Sequence, residues 1–140
     1  AETVARLPYK SVCLEHGKTE PMSRMTYEIR PVESFTEDET LQALIGLVGT
    51  GNIDTETAQA AAWHLSDGMS WAQLANMREE RLDSLPRGPY FTPGKVNAAV
   101  SLVAIAAEKG REIAAAREQS GDETEAVSTK TPRTAPGTIR

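Results

Sequence analysis

The sequence predicts a mainly α-helical protein: a compact four-helix array over residues 36–117, preceded by a short β hairpin or extended arm over 1–35 and followed by a disordered tail over 118–140. Two observations predict this class. Apolar residues recur at helical spacing in four segments, and each segment opens with a residue that can cap a helix N-terminus. Glycine or proline lies between the segments, where helices end. The length of 140 residues is that of a single domain.

The first two helices have clear start and stop signals. Thr36 and Glu39 have the spacing of a capping box, which predicts that the first helix begins at Thr36. Asp54 predicts the N-cap of the second helix, and Asp67-Gly68 its end. The apolar side of the second helix is formed mostly by small residues, which indicates close contact with a neighbouring helix: Ala58, Ala61, Ala62 and Leu65.

The third and fourth helices are separated by a proline-rich break. Ser70 is predicted to cap a third helix that continues to Leu85-Pro86, and Thr92 followed by Pro93 predicts the start of the longest helix. The apolar side of the third helix is expected to contain Trp71, Leu74, Met77 or Arg78, and Leu82.

The residues before the helices have the pattern of short strands. Two segments, 10–16 and 25–32, flank a loop that contains glycine and proline. In the second segment, Met25, Tyr27 and Ile29 alternate with polar residues, as in a half-buried strand. Because a two-stranded hairpin is marginal alone, the arm is expected to lean on the helices, on a partner or on a sheet further upstream.

Charge and hydropathy argue against two classes of function. The formal net charge is −5, the isoelectric point is near 5.1 and no segment has a basic block, so binding to nucleic acid is not expected. The longest apolar stretch, 96–107, is shorter than the ~20 residues of a membrane helix, so no membrane insertion is expected. The single cysteine, Cys13, cannot form an internal disulfide and leaves the redox compartment open.

The densest chemistry in the sequence lies at residues 13–16. Cys13 and His16, together with His64 on the second helix, are candidate zinc ligands, or a cysteine nucleophile with a histidine base. On a strand, however, Cys13 and His16 face opposite ways, and a structural zinc site needs four ligands. The favoured interpretation is therefore that Cys13 is a small buried apolar residue and that no cofactor is bound.

The two tryptophans suggest a second candidate surface. Trp63 and Trp71 lie on either side of the turn at Asp67-Gly68, where they could line a groove for a ligand or partner. Packing at a helix corner is the more common role of such a pair.

Residues 54–77 also have the outline of a helix-turn-helix, which makes an acidic DNA-binding protein an alternative. A reading helix should present polar or basic side chains to the groove, and this one offers only Gln73 and Asn76.

Four strings, VCLEHGKTEP, YEIRPVESFT, AQAAAWHLSDGMSWAQLA and PYFTP, together resemble the C-terminal part of uncharacterised secreted proteins of planctomycete-type bacteria. The likeness spans roughly residues 12–105. It implies export to the periplasm or the cell exterior, and a chain that is a fragment or shortened relative of proteins with a signal peptide and a β-rich portion upstream. It implies no activity.

The leading hypothesis is a non-enzymatic helical interaction or scaffold module that binds another protein. The helices present no convergent set of acid, base and nucleophile, which favours binding over catalysis. Neither the partner nor the oligomeric state follows from the sequence.

Overall fold

The helices follow one another along the chain and leave an N-terminal arm outside them. The computed structural model describes residues 3–80 and 87–128 and contains no strand in that part of the chain. The mainly helical class is therefore confirmed, whereas the hairpin is not formed and residues 3–31 are an irregular arm. After a 3-10 turn (Val32–Ser34), the helices are α1 (Glu39–Gly49), α2 (Thr55–Ser66), α3 (Trp71–Asn76) and α4 (Pro93–Ser128).

Three of the predicted N-caps are confirmed. The Asp54 carboxylate accepts a first-turn N–H of α2, and the Thr92 hydroxyl accepts the N–H of Lys95 at 3.3 Å. At Ser70 the capping box is complete: the hydroxyl accepts from Gln73 N at 3.1 Å, and the Gln73 side chain accepts from Ser70 N at 2.8 Å. Each cap satisfies backbone donors that have no partner inside the helix.

The predicted capping box at Thr36 is wrong. The N-cap of α1 is Asp38, whose Oδ1 accepts from Thr40 N at 2.9 Å. The Glu39 carboxylate accepts from Arg117 Nη1 of α4 at 3.2 Å, so it does not turn back to the helix start. Asp38 replaces Thr36 as the cap because a charged carboxylate is a stronger acceptor than a hydroxyl. The Glu39 side chain, which a capping box would bond to the backbone at the helix start, is instead paired with Arg117.

The third helix is shorter than predicted. Met77 has extended dihedrals, φ −62° and ψ 141°, and the chain then pairs with residues 88–90. Arg78 and Pro89 form an isolated bridge, and Tyr90 N donates to Met77 O at 2.9 Å. These tertiary hydrogen bonds replace the ones that a continuing helix would make. Leu82 and the break at Leu85 and Pro86 lie outside the described residues.

The fourth helix is longer than predicted. It continues to Ser128, so residues 118–128, the first part of the expected tail, are helical. Residues 129–140 of that expected tail lie outside the described residues. Within the described ranges, no helix combines the length and apolarity needed to cross a membrane.

The middle of helix α2, residues 57–63, is enclosed by its neighbours. Successive residues of a helix point about 100° apart, so Ala58, Ala60, Ala61 and Ala62 face different directions, yet each is at most 1% exposed. Helices α1 and α4 contact α2, and α1 also packs along α4. The small side chains let these backbones approach closely, as the sequence pattern indicated. The largest fully buried side chains around them are Leu44, Leu74 and Phe91.

Replacing Gly110 with alanine is expected to destabilise the fold. A Cβ at Gly110 of α4 would lie 2.9 Å from the backbone N of Thr40 at the start of α1. Overpacking of this kind costs about 1–3 kcal/mol, which exceeds the gain of about 1 kcal/mol in helix propensity. Gly121→Ala, on the same helix with open space around it, is the control and should stabilise. Chemical denaturation measures both; equal stabilisation by the two substitutions would contradict this packing.

Removing the Lys95 ammonium is expected to raise the pKa of Asp54. A hydrogen bond from Lys95 Nζ, at 2.5 Å, and one from the Thr57 N–H lower this pKa from 3.8 to about 2. In Lys95→Met the pKa should rise toward 3.8 but stay below it, because the Thr57 N–H remains. Since the folded-state pKa is depressed, the stabilisation is present above about pH 4 and is lost as the pH falls through about 2.

Carboxyl NMR titration of Asp54 measures this shift. Lys109→Met, which removes a lysine of the same helix that has no ion pair among the described residues, is the control. A pKa of Asp54 that stays near 2 without Lys95 would show that the Thr57 N–H alone sets it.

Candidate functional site

Side chains of α2 hold the arm in place by hydrogen bonds to the backbone of the arm. The Gln59 side chain accepts from Cys13 N at 2.9 Å and donates to Cys13 O at 2.7 Å. The Ser66 hydroxyl, on the next part of the helix, donates to Leu14 O at 2.5 Å. One helix face therefore fixes two consecutive residues of the arm.

The arm turns sharply just after this attachment. His16 N donates to Asp67 Oδ2 at 2.5 Å, at the C-cap of α2, and Gly17 has a φ of +84°, which glycine adopts without strain. The bend after Leu14 that convergence of Cys13 and His16 would require is present. Both residues consequently border the same cavity.

This cavity, here called the arm cavity, has a volume of about 600 Å³ and lies between the arm, α2 and the paired segments after α3. Its size is within the range of small-molecule sites. It is lined by Cys13, residues 15–18 and Glu20 of the arm, Gln59 and Trp63 of α2, residues 77–80 and Tyr90.

Trp63 is the centre of an aromatic cluster in the arm cavity. The His16 ring lies 4.7 Å from the Trp63 ring at 90°, and the Tyr90 ring lies 5.9 Å from it at 42°. Phe91 packs against Trp63 and Tyr90 from the core. Trp63 is 7% exposed, and its Nε1 is buried without a hydrogen-bond partner among the described residues. An unpaired buried donor costs about 1–3 kcal/mol, which offsets part of what the burial of the Trp63 ring contributes.

The other histidine and tryptophan form a separate pair. The rings of His64 and Trp71 are stacked at 3.9 Å and 18°, and His64 Nδ1 donates to Met69 O at 2.7 Å. Because a carbonyl only accepts, this bond fixes the proton on Nδ1. The pair closes the corner between α2 and α3, and neither residue lines the arm cavity.

The predicted zinc ligands are not assembled. Cys13 and His16 lie at the arm cavity, whereas His64 is stacked on Trp71, and no group of three or more His, Cys, Asp or Glu in residues 3–80 and 87–128 is arranged to hold a metal ion. In that same part of the chain, no hydrogen bond joins the Cys13 thiol to a histidine. Cys13 is half-buried rather than fully buried.

The two polar side chains of the helix-turn-helix alternative lie at opposite ends of α3, a helix of six residues. Gln73 completes the capping box, so its carbonyl oxygen is engaged with Ser70 N, and Asn76 is the last residue of the helix.

The lining of the arm cavity is negatively charged. Four carboxylates face two cations, and one of these cations, Lys18, is paired with Glu15. Burial and, after it, the negative charge of Glu20 raise the pKa of Tyr90 above its ordinary 10.0. The remaining carboxylates, Glu79 and Glu80, come from the segment after α3.

Sequence reasoning identified some of these residues and missed others. It singled out Cys13 and His16 as parts of one candidate site and Trp63 as part of another. Gln59 was missed because an isolated glutamine on an alanine-rich helix has no signal for binding the arm. Tyr90 had one signal, its position between two prolines after the break, where the chain could return to the core.

No family model matches this chain, and comparisons with curated proteins and with solved structures gave no match.

Replacing Gln59 with methionine is expected to release the arm from α2. The substitution keeps the length and removes both hydrogen bonds to Cys13, so amide exchange at Cys13 should accelerate about five- to tenfold, which corresponds to about 1–1.5 kcal/mol. Helix amides should be unaffected. Gln119→Met, at an exposed position of α4, is the control. Unchanged exchange at Cys13 in Gln59→Met would show that other contacts hold the arm.

Proposed function

We propose that this protein is a non-enzymatic helical interaction module that binds a protein partner through its N-terminal arm. The observation that supports the proposal is the free backbone of residues 26–30: within the described residues, no hydrogen bond reaches their N–H or C=O groups. A segment with unpaired backbone groups is a template for pairing with another strand.

The side chains of this segment suit a strand. Tyr27 is 57% exposed and Ile29 is 89% exposed, although both belong to residue types that favour sheets. Glu28 and Arg30 form an ion pair at 2.6 Å, so they lie on one side, as alternate residues of an extended chain do. The segment thus has one apolar and one charged face.

The proposed occupant is the edge strand of a partner's β-sheet. Strand addition derives affinity from main-chain hydrogen bonds and specificity from alternate side chains, and residues 26–30 supply both. Exposed apolar residues earlier in the arm, Val4, Leu7 and Tyr9, extend the surface available to the same partner. The resemblance to secreted bacterial proteins supports an interaction in the periplasm or outside the cell.

Proline at position 28 is expected to abolish partner binding. Glu28→Pro removes a backbone donor from the proposed ladder, whereas Glu28→Ala removes the same carboxylate and keeps the donor. Because this backbone makes no hydrogen bond within the described residues, both variants should unfold at the wild-type temperature. Proteins captured from extract of the source organism by the immobilised full chain should be retained by Glu28→Ala and lost with Glu28→Pro.

Amide exchange in the purified complex completes the test. Residues 26–30 should exchange about tenfold more slowly with the captured protein bound, as paired amides do. Capture that survives Glu28→Pro, or that leaves these amides unprotected, would contradict strand addition. Pairing of the arm with a second copy, detected as a dimer by light scattering, would contradict a different protein as occupant.

A further inference from the structure

We infer that the arm cavity binds a small organic cation, of the alkylated or quaternary ammonium class, against the rings of Trp63, Tyr90 and His16. This inference is independent of strand pairing by residues 26–30. It rests on two features of the cavity: the arrangement of its rings and its charge.

The rings form a partial cage. The His16 ring stands perpendicular to Trp63 at 4.7 Å, and the Tyr90 ring is inclined to it by 42° at 5.9 Å. Of these rings, His16 and Tyr90, which is 39% exposed, offer most of the accessible surface, and Trp63, which is 7% exposed, offers a smaller part. Cation–π attraction draws an ammonium group to the faces of Trp and Tyr, and cages of such rings hold quaternary ammonium ligands.

The charge of the lining has the sign that a cation requires. Four carboxylates and two cationic side chains give a formal charge of −2. With Lys18 paired to Glu15, the carboxylates of Glu20, Glu79 and Glu80 remain against Arg78. Burial is the main cause of the raised pKa of Tyr90, and the negative charge of Glu20 adds to it.

The size of the cavity also suits such a ligand. The volume of about 600 Å³ accommodates a free small molecule.

Choline is the probe, because it is a small compound with a quaternary ammonium group. The full chain carrying Trp71→Phe has Trp63 as its sole tryptophan, so its fluorescence and its indole N–H resonance report the cavity alone. Choline chloride is exchanged for sodium chloride at constant ionic strength. The expected result is a saturable change in both signals, whereas the neutral isostere, in which carbon replaces the ammonium nitrogen, leaves them unchanged.

Variants assign the binding to the cage and its charge. Tyr90→Leu should weaken choline binding by about two- to fivefold, as expected for loss of one cation–π contact. Glu79→Gln and Glu80→Gln should each weaken it by a similar factor, because exposed charge pairs contribute modestly. Glu118→Gln, which removes an exposed carboxylate of α4 that does not line the cavity, should leave the affinity unchanged. Circular dichroism confirms that each variant is folded.

Three outcomes would overturn the inference. Equal binding of choline and its neutral isostere would make the cavity an apolar site. The absence of any change at Trp63 with choline would show that no ammonium enters. Binding to phosphatidylcholine vesicles without binding to free choline would identify a lipid surface rather than a free small molecule as the ligand.

Discussion

The structure depends on the enclosure of α2. In the middle of α2 the small side chains of Ala58, Ala60, Ala61 and Ala62 are buried in different directions, which leaves room for neighbouring backbones to approach closely. Helices α1 and α4 contact this helix, and α1 packs along α4. The hydrogen bonds of Gln59 and Ser66 attach the arm to it as well. A larger residue at an alanine position would therefore disturb helix packing and arm placement together.

This arrangement divides the arm into two parts with different properties. Residues 13–16 are attached to α2 and to its C-cap, so their side chains are positioned by the helical core. Residues 26–30 make no backbone hydrogen bond within the described part of the chain. A segment with few buried contacts opens at little free-energy cost, whereas one paired to the core opens only with the core. The attached part thus forms the wall of a cavity, and the free part is open to pairing with a strand.

The sequence predicted what local interactions decide. The caps at Asp54, Ser70 and Thr92 depend on neighbours within three residues, and all three are present. The predicted end of α3 was wrong because residues 88–90, which are distant in sequence, pair with the chain after Asn76. At the start of α1 the local carboxylate of Asp38 caps the helix, while the distant Arg117 pairs with Glu39. The same limit applies to the arm cavity. His16 and Trp63 were recognised as candidates, but their approach requires a bend fixed by Asp67, which no local pattern reveals.

The cavity and the free strand belong to one continuous segment, and this has a thermodynamic consequence. Residues 15–18 and Glu20 line the cavity, and a turn closed by Met25 N and Met22 O connects them to residues 26–30. A partner strand that displaced the arm would act on the cavity through the hydrogen bonds of Cys13 and His16. If the two events were coupled, a cation in the cavity would change the affinity for the partner strand by the same factor as the strand changes the affinity for the cation. The strength of that coupling is limited by the free energy that holds Cys13 and His16 on α2.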